Sequence, residues 1–227
     1  MIERTFNPEA ATKLVTNPAV AEIIETLVSD PNNVFLVGSH GIFLARRLGG
    51  GEFEIAAHDE PGAGTKSLKN FIAEATEFMF CHTDAIELLV RTAEGDRISE
   101  ALVNAAPFDL QFDASGGVQV HALELRRWAR WAPGMAERGG QFHRKLAALL
   151  PGGLQPVEPD GLRAIGVALA MLQGGQVAKG VCWWNRYCVM ARRPMVKLLS
   201  TDPPQLKYDE IGVLTLQDGE ISVSPLH

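Results

Sequence analysis

The chain has 227 residues, 46% of them hydrophobic and 21% charged, with a formal net charge of −6. That composition excludes a dominantly disordered protein, and the length allows one domain with a large extension or two small domains, each able to bury a core. Three cysteines, Cys81, Cys182 and Cys188, stand at spacings that match no metal pattern, so free thiols in a reducing, cytoplasmic setting are expected. No apolar stretch reaches the roughly 18 residues of a membrane span, and the polar amino terminus lacks the apolar core of a leader.

Charge is unevenly spread. Residues 1–120 hold 8 Lys+Arg against 18 Asp+Glu, and the remainder holds 13 against 9, so the two parts carry −10 and +4. A surplus of that size without a basic stripe does not point to nucleic acid.

In chain order, Asn7-Pro8 and Asn17-Pro18 each open a short helix, with Pro just inside the helix start. Val20, Ile23, Ile24, Leu27 and Val28 fall on one face of the second. After the turn Asp30-Pro31-Asn32-Asn33, the runs Val34–Val37 and Ile42–Ala45 flank Gly38-Ser39-His40-Gly41 and predict a hairpin. Glycines 49 to 51 lead into a third strand over Glu52–Ala57. A loop follows, then a long helix over Thr65–Cys81, with Leu68, Phe71, Ile72, Ala75, Phe78 and Met79 facing inward. Ala85–Val90 reads as a strand, Asp96–Ala105 as a helix, Phe108–Phe112 as a strand, and Val118–Leu125 as a strand after the turn Ser115-Gly116-Gly117. This order predicts an α/β (α+β) domain on a central mixed, mostly antiparallel sheet flanked by helices.

Beyond residue 130, a Gly/Pro-rich stretch at 131–140 precedes a short basic helix over Gln141–Leu150 and a linker over Pro151–Pro159. Residues 160–193 read as a helical pair broken at Gly174-Gly175, and Ile211–Val223 as a hairpin turned at Asp218-Gly219. The expected division is 1–130, a 131–159 linker, and a 160–227 helical and hairpin extension.

The segment that carries chemistry is Asp59-Glu60-Pro61-Gly62-Ala63-Gly64-Thr65-Lys66 between a strand and a helix. Glycines at a helix N-terminus let backbone N–H groups approach an anion where the helix dipole favours negative charge, which suits a diphosphate. Neither a Walker A loop nor a dinucleotide Gly-x-Gly-x-x-Gly fits, because Glu60, Thr65 and Ser67 stand where glycines are needed. The same residues also serve as an ordinary loop and cap.

Taken with the element order, residues 1–128 resemble the GNAT superfamily of N-acetyltransferases. In that family a Gln/Arg-x-x-Gly-x-Gly/Ala signature binds the coenzyme A pyrophosphate; here Gly62 and Gly64 match and Asp59 departs. A family helix opened by Asn and closed by Gly-Phe has its counterpart in Asp96 to Pro107-Phe108. The resemblance therefore implies acetyl-coenzyme A as cofactor, held by Gly62, Ala63, Gly64, Thr65, Lys66 and Asp96. It implies direct acetyl transfer to an amine, whose identity it leaves open, with Glu54 or Glu52 on the strand before the loop as the base; the other reading of these two carboxylates is exposed charge on a strand face. The tyrosine that many members use to reprotonate the coenzyme A thiolate would fall at Val103. The helix Ser67–Phe80 also resembles divergent GNAT-like proteins of tailed bacteriophage and prophage genomes. That likeness carries a second reading: a non-catalytic structural or assembly protein whose extension joins a homo-oligomer or a virion partner.

His58 has two readings, a base or phosphate donor and a solvated loop residue. Cys81-His82-Thr83-Asp84 reads as a helix end, since adjacent side chains rarely converge on one ion. In Cys182–Cys188, Trp184 shares a face with Cys188 and Trp183 with Tyr187, a pattern for packing, with ligand stacking as the alternative.

Overall fold

A computed structural model describes residues 2–12, 18–39, 41–59, 65–114, 116–148, 154–208, 211–217 and 220–224. Contacts divide the chain into two compact units, Met1–Met79 with Ala85–Trp131, and Phe80–Asp84 with Ala132–His227.

The first unit holds β1 (Glu3–Arg4), α1 (Pro8–Thr12), α2 (Pro18–Val28), β2 (Val34–Gly38), β3 (Gly41–Gly49), β4 (Glu52–Asp59), most of α3 (Thr65–His82), β5 (Glu87–Ala93), α4 (Arg97–Ala105), β6 (Asp109–Ala114), β7 (Val118–Glu124) and α5 (Leu125–Trp131). Its sheet has the order β1-β2-β3-β4-β5-β7-β6, and every pairing is antiparallel except β4 with β5. The expected mixed, mostly antiparallel sheet flanked by helices is thus present, with β1 added at one edge. Parallel pairing follows from the crossover through α3, which no tight turn can replace.

Side chains alternate across the sheet, so each face can be followed by register. On one face Ala11, Ile24 and Val28 of α1 and α2 cluster with Phe35 and Ile42. Ile23, expected on that helix face, is 59% exposed, because it lies a hundred-degree step beyond the stripe that Ile24 and Val28 bury. Asn33 locks the turn after α2: its amide donates to the Leu27 carbonyl at 3.0 Å and accepts from the Arg47 N–H at 3.0 Å. On the opposite face α3 buries Leu68, Phe71, Ile72, Ala75 and Met79, while Phe78 is half-buried. Phe71 lies against the β2–β3 turn, where a Cβ on Gly38 would come within 2.8 Å of its ring and one on Gly41 within 3.2 Å. Glycine at both positions is what admits the ring.

The second unit contains α6 (Met135–Ala148), α7 (Pro159–Gln173), α8 (Val177–Met190) and a sheet of β8 (Lys197–Thr201), β9 (Pro204–Tyr208), β10 (Gly212–Gln217) and β11 (Glu220–Ser224), ordered β11-β10-β9-β8 and antiparallel throughout. The expected hairpin is β10–β11, with its turn residues Asp218 and Gly219 outside the described residues; β8 and β9 extend it into a sheet. The stretch 131–140, expected as loop, is mostly helix. Its glycines mark a helix crossing: a Cβ on Gly139 would lie 1.7 Å from the Leu162 carbonyl oxygen, and one on Gly166 would lie 1.9 Å from that of Met135. The α6 and α7 backbones touch at these reciprocal positions, so the glycines serve packing rather than breaking the helix.

Trp184, Tyr187 and Cys188 of α8 are fully buried, and Phe142 meets Trp184 edge-on at 5.1 Å. The aromatic cluster therefore builds the core of this unit, together with Leu206, Tyr208 and Leu214. Lys179 donates from Nζ to the carbonyls of Phe80 at 2.9 Å and Thr83 at 2.7 Å, at the carboxyl end of α3, and burial brings its ammonium down to about 8. His143 Nδ1 lies 2.8 Å from the Tyr187 hydroxyl. Burial depresses the His143 imidazolium, opposed by its hydrogen bond to the Gln155 backbone, and burial raises the Tyr187 phenol. Among the described residues no helix is long and apolar enough to cross a membrane.

Two outcomes follow from this packing. Gly166→Ala should destabilise the second unit by about 1–3 kcal/mol through forced separation of α6 and α7. Gly140→Ala, whose Cβ would meet nothing closer than 3.7 Å, should be neutral or stabilising. Urea denaturation of both variants checks the pair. For His143, a folded-state value below the unfolded one means that its contribution is complete above the unfolded value of about 6.5 and is lost as pH falls below it. Denaturation midpoints measured across that range should decline toward acid in the wild type and decline less in His143→Gln.

Candidate cofactor cleft

The parallel pair β4–β5 is in register only from Glu52↔Glu87 to Glu54↔Leu89. Beyond that rung β4 runs on to Asp59 beside β3, and β5 runs on to Ala93 beside β7, so the two strands part within the sheet. Backbone groups of Ile55 and beyond on β4, and of Val90 and beyond on β5, lose their partner strand there. A gap of this kind in the middle of a sheet offers hydrogen-bonding groups to an extended ligand.

Helices α3 and α4 frame this region. A cavity of about 330 Å³ lies between them, lined by Leu68, Lys69, Arg97, Glu100, Ala101 and Asn104. Lys66 and Lys69 occupy the first turns of α3, and Arg97 is the first residue of α4; all three are exposed. Cations there run against both helix dipoles, an arrangement that an anionic ligand would offset. Lys69 and Arg97 were not singled out from the sequence. Their signal was present as basic residues at two helix starts, but only the fold brings the two starts together.

Gly62, Ala63 and Gly64 lie outside the described residues. Thr65 opens α3 and Lys66 follows it. Asp96 caps α4: its Oδ1 accepts from the N–H groups of Ile98 and Ser99, each at 3.3 Å, and its Oδ2 accepts from the Ser99 hydroxyl at 2.6 Å. Its carboxylate therefore orients the helix start that borders the cavity.

Cross-strand partners share a face. By that register Glu52 and Glu54 project from the α1–α2 face of the sheet, opposite Phe53 and Ile55. Glu54 is engaged at both oxygens, by Arg91 Nε at 2.5 Å and by Arg46. Glu52 is exposed and stands in line with Glu87 and Glu124 across three adjacent strands. Burial raises the Glu87 carboxyl, and the neighbouring charges of Glu52 and Glu124 raise it further. Sequence reasoning missed Glu87, since only strand pairing aligns the three carboxylates. His58 sits near the end of β4 on the same face as Glu54. Among the described residues no group of three or more His, Cys, Asp or Glu is placed to hold a metal ion.

No protein-family model matches the chain, and no curated protein matches it in sequence. The chain is similar to several solved N-acetyltransferase structures. PseH of Campylobacter jejuni, solved in complex with acetyl coenzyme A, aligns at 12% identity over 55% of this chain and 99% of that chain, with a TM-score of 0.44. A point mutant of the spermidine N-acetyltransferase SpeG from Vibrio cholerae aligns at 11% identity over 56% and 95%, with a TM-score of 0.45. The IAA acetyltransferase of Bacillus cereus aligns at 21% identity over 55% and 99%, with a TM-score of 0.44.

Asp96 supplies a direct check of the cleft's architecture. Replacing it with Ala should cost about 1 kcal/mol of stability through the lost cap, while Asp96→Asn should recover most of that loss. Thermal unfolding of the two variants beside the wild type measures it.

Proposed function

We propose that the first unit is a GNAT-type N-acyltransferase domain that binds acetyl-coenzyme A between α3 and α4 and along the β4–β5 gap. The observation that carries this reading is the parting of β4 from β5 beside two helix starts bearing Lys66, Lys69 and Arg97. The α3 start also lies at the end of the one segment of the sequence, Gly62 to Lys66, suited to a diphosphate.

In this reading the backbone N–H groups of Gly62, Ala63, Gly64 and Thr65 hold the diphosphate, Lys66 pairs with it, and Lys69 and Arg97 take further phosphate charge. Asp96 acts through α4, which it caps. The bound cofactor supplies an acyl group activated as a thioester. An acceptor amine is a nucleophile only after it loses a proton, and the protein must take that proton. Glu52 and Glu54 are the proposed bases. Glu52 comes first, because both oxygens of Glu54 are occupied by Arg46 and Arg91. The acceptor is an amine whose further structure these features do not specify.

Calorimetric titration with acetyl-coenzyme A and with coenzyme A tests the reading. Binding in the micromolar range, about −8 kcal/mol, is expected for the wild type, and Gly62→Glu, which places bulk and negative charge in the loop, should abolish it. Absence of binding by the wild type would sink the proposal and leave the first unit as a non-catalytic domain.

A further inference from the structure

Acyl transfer from a thioester to an amine needs proton handling at two atoms, the attacking nitrogen and the departing sulfur. Glu52 and Glu54 address the nitrogen. For the sulfur, α4 carries Val103 and, among its side chains, no Tyr, His, Cys or Lys. Both tyrosines of the chain, Tyr187 and Tyr208, lie in the second unit.

Val103 lines a cavity of about 480 Å³ in the first unit, and the same cavity is lined by Thr92 and His121. Its wall on β5 is Thr92 and Ala93, residues beyond Leu89, the last that pairs with β4. Glu100 and Asn104 line both this cavity and the one between α3 and α4, so the two spaces adjoin at α4. His121 projects from β7, paired with Val90 of β5, and its Nε2 is 3.2 Å from the hydroxyl of Thr92, which is only 6% exposed. A buried hydroxyl thus fixes one ring nitrogen and leaves the second for a ligand. The charged groups that line this cavity with the ring are Glu94, on the turn after β5, and Glu100, on α4. Both are carboxylates, and among the described residues no Lys or Arg lines the cavity with them.

We infer that His121, oriented by Thr92, is the proton donor to the coenzyme A sulfur, occupying the cavity left open by Val103; this rests on the acyltransferase reading above. When the carbon–sulfur bond breaks, its electron pair stays on sulfur. The protonated imidazole donates Nε2–H to the Thr92 hydroxyl and gives the proton of its second nitrogen to that sulfur. The product is the neutral thiol, and the neutral ring regains a proton from solvent.

The test needs no acceptor. Protein saturated with coenzyme A is titrated upward in pH while thiolate absorbance is followed in the ultraviolet, for the wild type and for His121→Asn. The neutral ring, with its Nε2–H held by Thr92, accepts from the S–H at its second nitrogen, so the bound thiol of the wild type should be about tenfold less acidic than that of the variant, a displacement of about one pH unit. Thr92→Val, which keeps the ring and removes its anchor, should fall between them, and it carries the test if His121→Asn fails to fold. Acetyl-coenzyme A affinity, measured by calorimetry, should stay within about twofold across the three proteins. Coincident thiolate curves in proteins that bind coenzyme A would overturn the role of His121 and leave the acyltransferase reading standing. A wild type that binds neither ligand would overturn both.

Discussion

The first unit is organised around one parallel strand pair in an otherwise antiparallel sheet. Because β4 and β5 run the same way, the chain between them must cross the sheet, and α3 is that crossing. The two strands pair only over a few residues, each then held by its other neighbour, so their separation is built into the hydrogen-bond ladder rather than into a loop. The crossing through α3 and the cavity it shares with α4 follow from that departure from antiparallel pairing, whereas the face that Glu52 and Glu54 take follows from the β3–β4 register.

The gap gives the two faces of the sheet different chemistry. On the α3–α4 side lie the cations of two helix starts and, farther along, the Thr92–His121 pair. On the other side lie Glu52, Glu54 and Glu87, with Glu54 clasped by Arg46 and Arg91. Glu52, Glu54 and Glu87 are thus separated from His121 by the sheet, while Glu94 and Glu100 share the cavity with its ring. Such a division suits a reaction in which one proton leaves a nucleophile and another reaches a leaving group.

The second unit is built by a different rule. Its helices α6 and α7 meet at Gly139 and Gly166, where neither can carry a side chain, and its core is closed by Trp184, Tyr187 and Phe142. It also contains the last residues of α3, whose terminal carbonyls are met by Lys179. Burying an ammonium costs desolvation, and the two carbonyl acceptors offset that cost.

Much of this was legible in the chain itself. Apolar spacing marked α3 and the inner strands, Asn7-Pro8 marked the start of α1, whose Asn7 side chain accepts from the Glu9 N–H at 2.9 Å, and Asp96 marked the start of α4. These features are local: a helix face or a cap depends on residues within one or two turns. What sequence reading assigned wrongly or passed over depends on distant partners. Gly139 and Gly140 fell in a stretch assigned to the linker for its glycine and proline content, because propensity weighs a glycine by its own backbone freedom, whereas the worth of Gly139 is set by the Leu162 carbonyl across a helix crossing. Lys69 and Arg97, Glu52 and Glu87, and Val103 and His121 are far apart or chemically ordinary as letters. The sequence by itself determined most elements of the first unit, its mixed sheet and the glycine segment before α3, because periodicity and capping act over short range. Only the tertiary structure decided which charges converge, which face the carboxylates take and which side chain fills the space beside Val103, because strand register and helix crossing are settled by contacts between residues that the chain keeps apart.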